Sequence, residues 1–310
     1  MVIQPRLLKS LVNIIELEPW ELALAGALVV ALASCTIAAG LGVAKSLLIA
    51  AVRMVLQLSL IGLILRELFA AHHPWWVGMI ALVMLAFAGR EVSARQKYRL
   101  RGMWGYGIGT GAMFVSSFAV SVFGLAAIVR AEPWWDPRYA IPVLGMLLGN
   151  TMTAVTLSID RLTTSVWNSR ETVEARLMLG ETGIEAVSDF TRDALRSGLI
   201  PVINSMAVAG VVSLPGMMTG QILAGNPPGD AVRYQILIWL LIAAGCGFGM
   251  MMAVRMTARR LFDVGVALFA CNDDSSSTTR ISRHVKDTCL RVSNAWAVDI
   301  GTATISRAPV

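Results

Sequence analysis

From Leu22 to Val43 the chain reads LALAGALVVALASCTIAAGLGV, with no charged side chain along its length. A helix needs about 20 apolar residues to cross roughly 30 Å of hydrocarbon, and this run is long enough. It is longer than the roughly 7–15 apolar residues of a secretory leader. Glu16 and Glu18 also intervene after Arg6 and Lys9, so the run is expected to stay as an anchor. Working outward, six more segments meet or approach the criterion, giving expected spans at 20–43, 46–68, 75–90, 104–129, 139–160, 198–224 and 231–256. The third is short and needs a turn beyond Arg90. Each must be helical, because an open strand leaves its backbone unsatisfied in lipid. The expected fold is an all-α polytopic membrane protein with about seven transmembrane helices and one cytoplasmic amphipathic helical loop.

Composition agrees. Of 310 residues, 56% are hydrophobic and only 15% charged, and the mean hydropathy is +0.66. Soluble domains carry about a quarter charged residues, so the deficit places the chain in the membrane class. The net charge of +6 sits between apolar segments, where basic residues orient loops and meet anionic headgroups. The lipid bilayer is therefore the expected partner, and nucleic acid is set aside. Arg90, Arg95, Lys97, Arg99 and Arg101 follow the third span, Arg161, Arg170, Arg176, Arg192 and Arg196 the fifth, and Arg259 and Arg260 the seventh. The alternate loops carry only Arg130, Arg138 and Arg233. The positive-inside bias then expects a multi-pass cell (inner or plasma) membrane protein, N-terminus outside and C-terminus cytoplasmic. Trp75–Trp76 and Trp134–Trp135 fall at the outer boundaries, as an aromatic belt would. Residues 1–19 form an extracytoplasmic segment, 20–262 the seven-span domain, and 263–310 a polar tail with too little apolar content for a core, expected to be disordered. Cys35 and Cys246 lie in spans, Cys271 and Cys289 in the tail, without disulfide or metal spacing.

The hydrophilic stretch 161–197 is the most informative. Val173, Leu177, Ile184, Val187, Phe190 and Ala194 recur at helical spacing opposite Glu174, Glu181, Glu185, Asp189 and Arg192, an amphipathic pair broken near Gly180 or Gly183. A short rigid helix of this kind can enter a partner's groove and pass its movement to membrane helices. It can equally be an ordinary surface helix between two spans.

In the sixth expected span, Pro215 removes the bond to the carbonyl of Val211, and Gly216 loosens the next turn. A helix broken this way can line a polar pathway or act as a hinge. Met206, Gly210, Ser213, Met217 and Gly220 fall on one helical stripe with Gln221 beside it. Met206 and Met217 could offer thioethers to a passing metal; the competing reading is close packing of small residues with methionine filling gaps. Arg53 and Gln57 lie one turn apart in the second span, and Asn150, Thr153 and Asp160 share a face of the fifth. Polar groups at this depth tend to face the bundle interior. Asp160 sits near the boundary and Arg53 can snorkel, whereas Asn150 has no such escape. His72, His73, Glu132 and Asp136 gather at the outer side and could serve a metal's exit, although adjacent histidines cannot share one site from a regular helix.

Gly105, Gly107, Gly109 and Gly111, and Gly245, Gly247 and Gly249, look like phosphate loops but lack the strand before and the lysine after. Inside apolar spans they are packing surfaces. No Gly-x-x-x-x-Gly-Lys-Ser/Thr occurs, so no cofactor is expected on this chain and any ATP belongs to a partner.

Three segments carry a resemblance: Arg53-Met54 with Gln57-Leu58; Pro142 to Met146 with Gly149-Asn150; and Leu214-Pro215-Gly216-Met217-Met218-Thr219-Gly220-Gln221 through Gly225 with Tyr234-Gln235. Together they resemble the FetB-type family of ABC permeases over roughly residues 20–262. Bacterial members are associated with iron export and oxidative-stress resistance, plant relatives with aluminium tolerance and, in one proposal, nucleotide-sugar export. The resemblance implies a non-enzymatic permease subunit, paired as a homodimer with two separate cytoplasmic ATPases that hold ATP and Mg. Glu174-Ala175 followed by Gly180, with Glu181, resembles the loop by which such permeases dock the ATPase, with Arg176 where the usual second alanine stands. Substrate would pass near Arg53, Gln57, Asn150, Met206, Ser213, Pro215, Met217 and Gln221. The family pattern ends after Phe262.

The methionines alone favour a soft monovalent metal over ferrous iron, so iron rests on the resemblance; a nucleotide sugar or another polar or amphiphilic molecule is the alternative cargo. A secondary transporter or channel would need an acidic residue deep in the bundle, and an enzyme would need a nucleophile–base pair or metal triad. The sequence displays neither.

Overall fold

The computed structural model describes residues 18–70, 74–96, 104–129, 133 and 135–263. His72, His73, Lys97, Arg99, Arg101, Arg130, Glu132, Trp134 and the tail from 264 onward lie outside the described residues. Among the described residues every regular element is helical: α1 (Pro19–Ala38), α2 (Ala44–Ala70), α3 (Pro74–Arg95), α4 (Trp104–Phe123) continued by a π-helical turn (Gly124–Val129), α5 (Pro137–Asn168), α6 (Arg170–Met178), α7 (Gly183–Ala186), α8 (Ser188–Val208), α9 (Gly216–Leu223) and α10 (Pro228–Asp263).

Four of the long helices, α1, α3, α5 and α10, begin on proline. Its fixed φ suits the first helical position, and its missing N–H would have lacked a partner there. Local caps help: the Glu18 N–H donates to Glu21 Oε2 at 2.9 Å, and Asp136 Oδ1 accepts from the Arg138 N–H at 3.0 Å. Between α1 and α2 the chain reverses through Gly40 and Gly42, with φ of 66° and 67°, a region that favours glycine.

Among the described residues six helices are long and apolar enough to cross a membrane: α1, α2, α3, α4 with its π turn, α5 and α10. The span expected at 198–224 is instead divided between the end of α8 and the short α9. α3 runs to Arg95, supplying the turn beyond Arg90. α5 and α10, with 32 and 36 residues, are longer than the spans expected. At 1.5 Å per residue they reach about 48 and 54 Å, well beyond a hydrocarbon core of roughly 30 Å. The surplus forms a stalk, so the two ends of the stretch 161–197 are stalk helix, and 169–187 is the connecting hairpin.

The core has two parts. Within the bundle, Met113, Leu147, Val155, Leu241 and Met250 pack α3, α4, α5, α8 and α10 together. In the stalk, Leu162, Val166, Val173, Ala186, Val187, Ala194, Val254, Ala258 and Leu261 form a second cluster. Glycine notches let helices close in: a Cβ on Gly109 would lie 3.1 Å from Val92, and one on Gly249 would lie 2.6 Å from both Ser116 Oγ and Thr151 Cγ2. The packing expected of the glycine runs therefore holds at Gly109, Gly245 and Gly249, while Gly107 and Gly111 face open space.

The α1–α2 hairpin is peripheral. Only 6% of the apolar stretch of either helix is buried, against 44% for α4, α5 and α10. Arg53 does not simply snorkel: its Nη1 meets Glu91 Oε2 of α3 at 3.0 Å, and Arg95 Nη2 holds the other oxygen of Glu91 at 2.9 Å.

Candidate functional site

The hairpin between α5 and α8 is built from two complementary stops and starts. α6 ends where Gly180 takes a φ of 92°, with the Glu181 N–H reaching back to the Arg176 carbonyl at 3.2 Å. Glycine suits this left-handed closing position. Thr182 then opens α7 in a capping box: its N–H and hydroxyl donate to Glu185 Oε2 at 2.9 and 2.7 Å, and the Glu185 N–H returns to Thr182 Oγ1 at 3.4 Å. Chiefly the hydroxyl bond, then the backbone one, holds the Glu185 carboxyl below its ordinary value.

Val173, Leu177, Val187, Phe190 and Ala194 turn inward onto the stalk as their spacing implies. Ile184 does not; it is exposed, because α7 is a single turn that sets Ala186 inward instead. Gly183 abuts the Phe262 ring of α10, where a Cβ would come within 2.5 Å of Cγ. Arg176 staples the hairpin shut: Nη2 donates to Asp189 Oδ2 at 3.0 Å and Nη1 to the Ala186 carbonyl at 3.3 Å. Glu174, Ala175, Gly180 and Glu181 are all exposed around the tip. Sequence reasoning missed what lies between them: Met178 and Leu179 are 86% and 84% exposed, an apolar knob flanked in sequence by Glu174 and Glu181. Their uncharged run immediately before Gly180 was the available signal.

The broken span departs from expectation in position. α8 ends at Val208, earlier than a break at Pro215 would place it, and Gly210 at a φ of 85° closes it. The Val208 carbonyl accepts from Val211, Val212 and Ser213 at 3.3, 3.0 and 3.2 Å, and the Gly210 N–H donates to the Ser213 carbonyl at 2.9 Å. Pro215 becomes the N-cap of α9, since Leu214 ahead of a proline is steered away from the helical region. Met206 and Met217 therefore no longer share one helical stripe: Met206 is exposed on α8, and Met217 packs on the core from α9. Met217 borders a small apolar cleft with Leu125, Val143, Leu237, Tyr139 and Tyr234. Gln221 is half-buried and Ser213 exposed. Among the described residues no group of three or more His, Cys, Asp or Glu could hold a metal ion.

Some polar groups of the spans lie toward the surface, and others, Ser116, Ser117, Ser121 and Gln235 among them, are buried. Asn150 is half-buried, its Nδ2 donating to the Met146 carbonyl at 2.8 Å, while Gln57, Thr153 and Asn204 lie on the exposed surface of α2, α5 and α8. The bundle interior is closed by close contacts: Thr151 Oγ1 and Cys246 Sγ at 3.8 Å, and the Ser158 hydroxyl donating to Met250 Sδ at 3.6 Å. That seam was legible as Thr151 and Ser158 seven residues apart on one helix, facing Cys246 and Met250 four apart on the other.

An all-helical bundle crossing the bilayer several times, with one discontinuous span and a helical hairpin on an extended stalk, defines a polytopic membrane protein. The uncharacterised protein family UPF0014 matches residues 19–262, and the chain belongs to that family. It is 38% identical over 205 residues to a UPF0014 membrane protein of Synechocystis, covering 66% of this chain and 78% of that one. The protein described as probable iron export permease protein FetB, from Escherichia coli, is 29% identical over 72% of this chain and 84% of its own length. ALUMINUM SENSITIVE 3 of Arabidopsis thaliana is 33% identical over 60% of this chain and 66% of its own. No solved structure matches.

Proposed function

We propose that the chain is the membrane-spanning subunit of an ABC transporter, acting as a homodimer with two copies of a separate cytoplasmic ATPase and exporting iron. The observation that carries the ABC reading is the knob of Met178 and Leu179, held on a stalk that shares one hydrophobic cluster with α5, α8 and α10. An exposed apolar tip on a rigid mount is what a groove-binding contact requires, and the shared cluster passes a push on the tip into three membrane helices. ATP and Mg sit on the partner, and Glu174, Ala175, Gly180 and Glu181 frame the contact. The hairpin and C-terminal ends then face the cytoplasm of the cell membrane.

The homodimer is supported by where the polar side chains lie. Gln57, Thr153 and Asn204 are on the outside of one copy, and its interior is packed shut. Polar groups at bilayer depth seek the inside of an assembly, so the pathway runs between two copies, past Asn150, Met206 and Ser213. Among the described residues no acidic side chain is buried as the coupling site of a secondary transporter would be. Iron follows the name of the Escherichia coli relative. The alternative cargo is a nucleotide sugar or another polar or amphiphilic molecule. Reconstituting the permease with its ATPase tests both: vesicles that accumulate ferrous iron only with hydrolysable ATP support the first. An assembled, ATP-hydrolysing complex that moves no iron discards it.

A further inference from the structure

We propose that the irregular segment 209–215 forms the gate of the transport pathway, meeting the same segment of a second copy of this chain; the proposal rests on the homodimer reading. Depth is the first observation. Gly198 sits against Ser158 and Met250 of the neighbouring helices, and Val208 lies about 15 Å further along α8 at 1.5 Å per residue. On α10, which runs the opposite way, that level is near Leu240, about 10 Å inside the end of the apolar run that Arg233 and Arg255 bracket. Met217, just after the segment, lines its cleft with Leu237, Ile238 and Leu241 at the same level. The segment is therefore within the hydrocarbon region.

The second observation is its backbone. The carbonyls of Gly210, Val211, Val212 and Leu214 accept no hydrogen bond among the described residues, and the Leu214 N–H donates none. Exposed valines alone would suit lipid, but non-helical backbone at membrane depth occurs only where protein covers it or water lines it. Among the described residues of one copy nothing covers it: Val211 is 90% exposed, Val212 80% and Leu214 62%. Two copies facing each other across a pathway satisfy both needs. The valines close on their counterparts, and the free carbonyls turn to the water of the pathway. A ring of valines is a constriction that dewets when closed, and Gly210 and Pro215 at its two ends are the hinges.

Val211→Cys and Val212→Cys in the full-length permease, co-expressed with its ATPase, test this by oxidative cross-linking in native membranes. Leu28→Cys on the peripheral hairpin and the parent chain with its own cysteines are the controls, and differently tagged copies report dimer formation independently. The expected result is conversion of most of the monomer to a dimer that reductant reverses, at position 211 or 212 and not at 28, with loss of transport while the link is closed. Tagged copies that co-purify without any cross-link at 211 or 212 overturn the gate and leave the homodimer standing. Tagged copies that fail to co-purify overturn both.

Discussion

Gly198 sits where the membrane bundle meets the stalk, and Gly198→Ala puts a methyl group into a space that three helices share. The new Cβ would collide with Ser158 Oγ and lie 3.0 Å from Met250 Sδ and 3.1 Å from the Ala154 carbonyl. The hydroxyl can rotate away only by giving up its 3.6 Å contact with Met250, and the backbone oxygen of α5 cannot rotate at all. Overpacking of this kind costs about 1–3 kcal/mol, and a lost interhelical bond in a membrane about 0.6 kcal/mol. Replacing glycine by alanine inside a helix returns roughly 0.5–1 kcal/mol. The overpacking wins, leaving a net loss of about 1–2 kcal/mol. Gly149→Ala is the control, because no atom lies within 4 Å of its Cβ position; only the helical gain of roughly 0.5–1 kcal/mol remains there. Reversible unfolding in mixed detergent micelles, titrated with a denaturing detergent and followed by tryptophan fluorescence, measures both. Adding Ser158→Ala to Gly198→Ala should recover most of the loss. Gly198→Ala as harmless as Gly149→Ala, or no recovery in the double variant, would refute the packing account of this junction.

Leu179→Asp should leave folding and membrane abundance unchanged, since the side chain touches solvent, yet abolish co-purification of the ATPase; retention of the ATPase would remove the knob from the coupling account. Arg176→Ala cuts the staple to Asp189 and Ala186; exposed pairs of this kind are worth about 0.2–1 kcal/mol, so stability should barely move, while ATP hydrolysis becomes poorly coupled to transport. Glu185 binds its proton more weakly in the folded hairpin than in the unfolded chain. Its contribution is therefore complete above the ordinary carboxylate pKa and lost as pH falls through the lowered value. The protection of the Ala186 N–H, which donates to the Thr182 carbonyl at 2.9 Å, should fall on acidification in that range when referred to the exchange rate of an unstructured amide at the same pH, and Glu185→Gln should erase the dependence.

The membrane fold was legible because an apolar run of span length has few alternatives. The stalk was not, because α5 and α10 continue without a break past the apolar boundary, and Arg161 simply pairs with Asp193 of α8 at 2.8 Å instead of ending the helix. The broken span was anticipated at Pro215, but Gly210 ended α8 first: a glycine inside an apolar run reads equally as packing or as a stop. The hairpin's inward face followed from spacing, whereas Ile184 defied it because a one-turn helix has no periodicity to enforce. Polar groups in the spans were expected to face the bundle interior; Gln57 and Thr153 are instead exposed on one copy, and spacing along a single helix does not say which of its faces the bundle covers.

The most direct test of the central claim is ATP-dependent movement of radiolabelled ferrous iron into inside-out vesicles carrying this permease and its cognate ATPase. Accumulation that requires hydrolysable ATP, and that falls when Asn150 is replaced by leucine, is the predicted result. Vesicles whose complex assembles and hydrolyses ATP but accumulates no iron would contradict the iron assignment, and vesicles in which no ATPase ever associates would contradict the permease account itself.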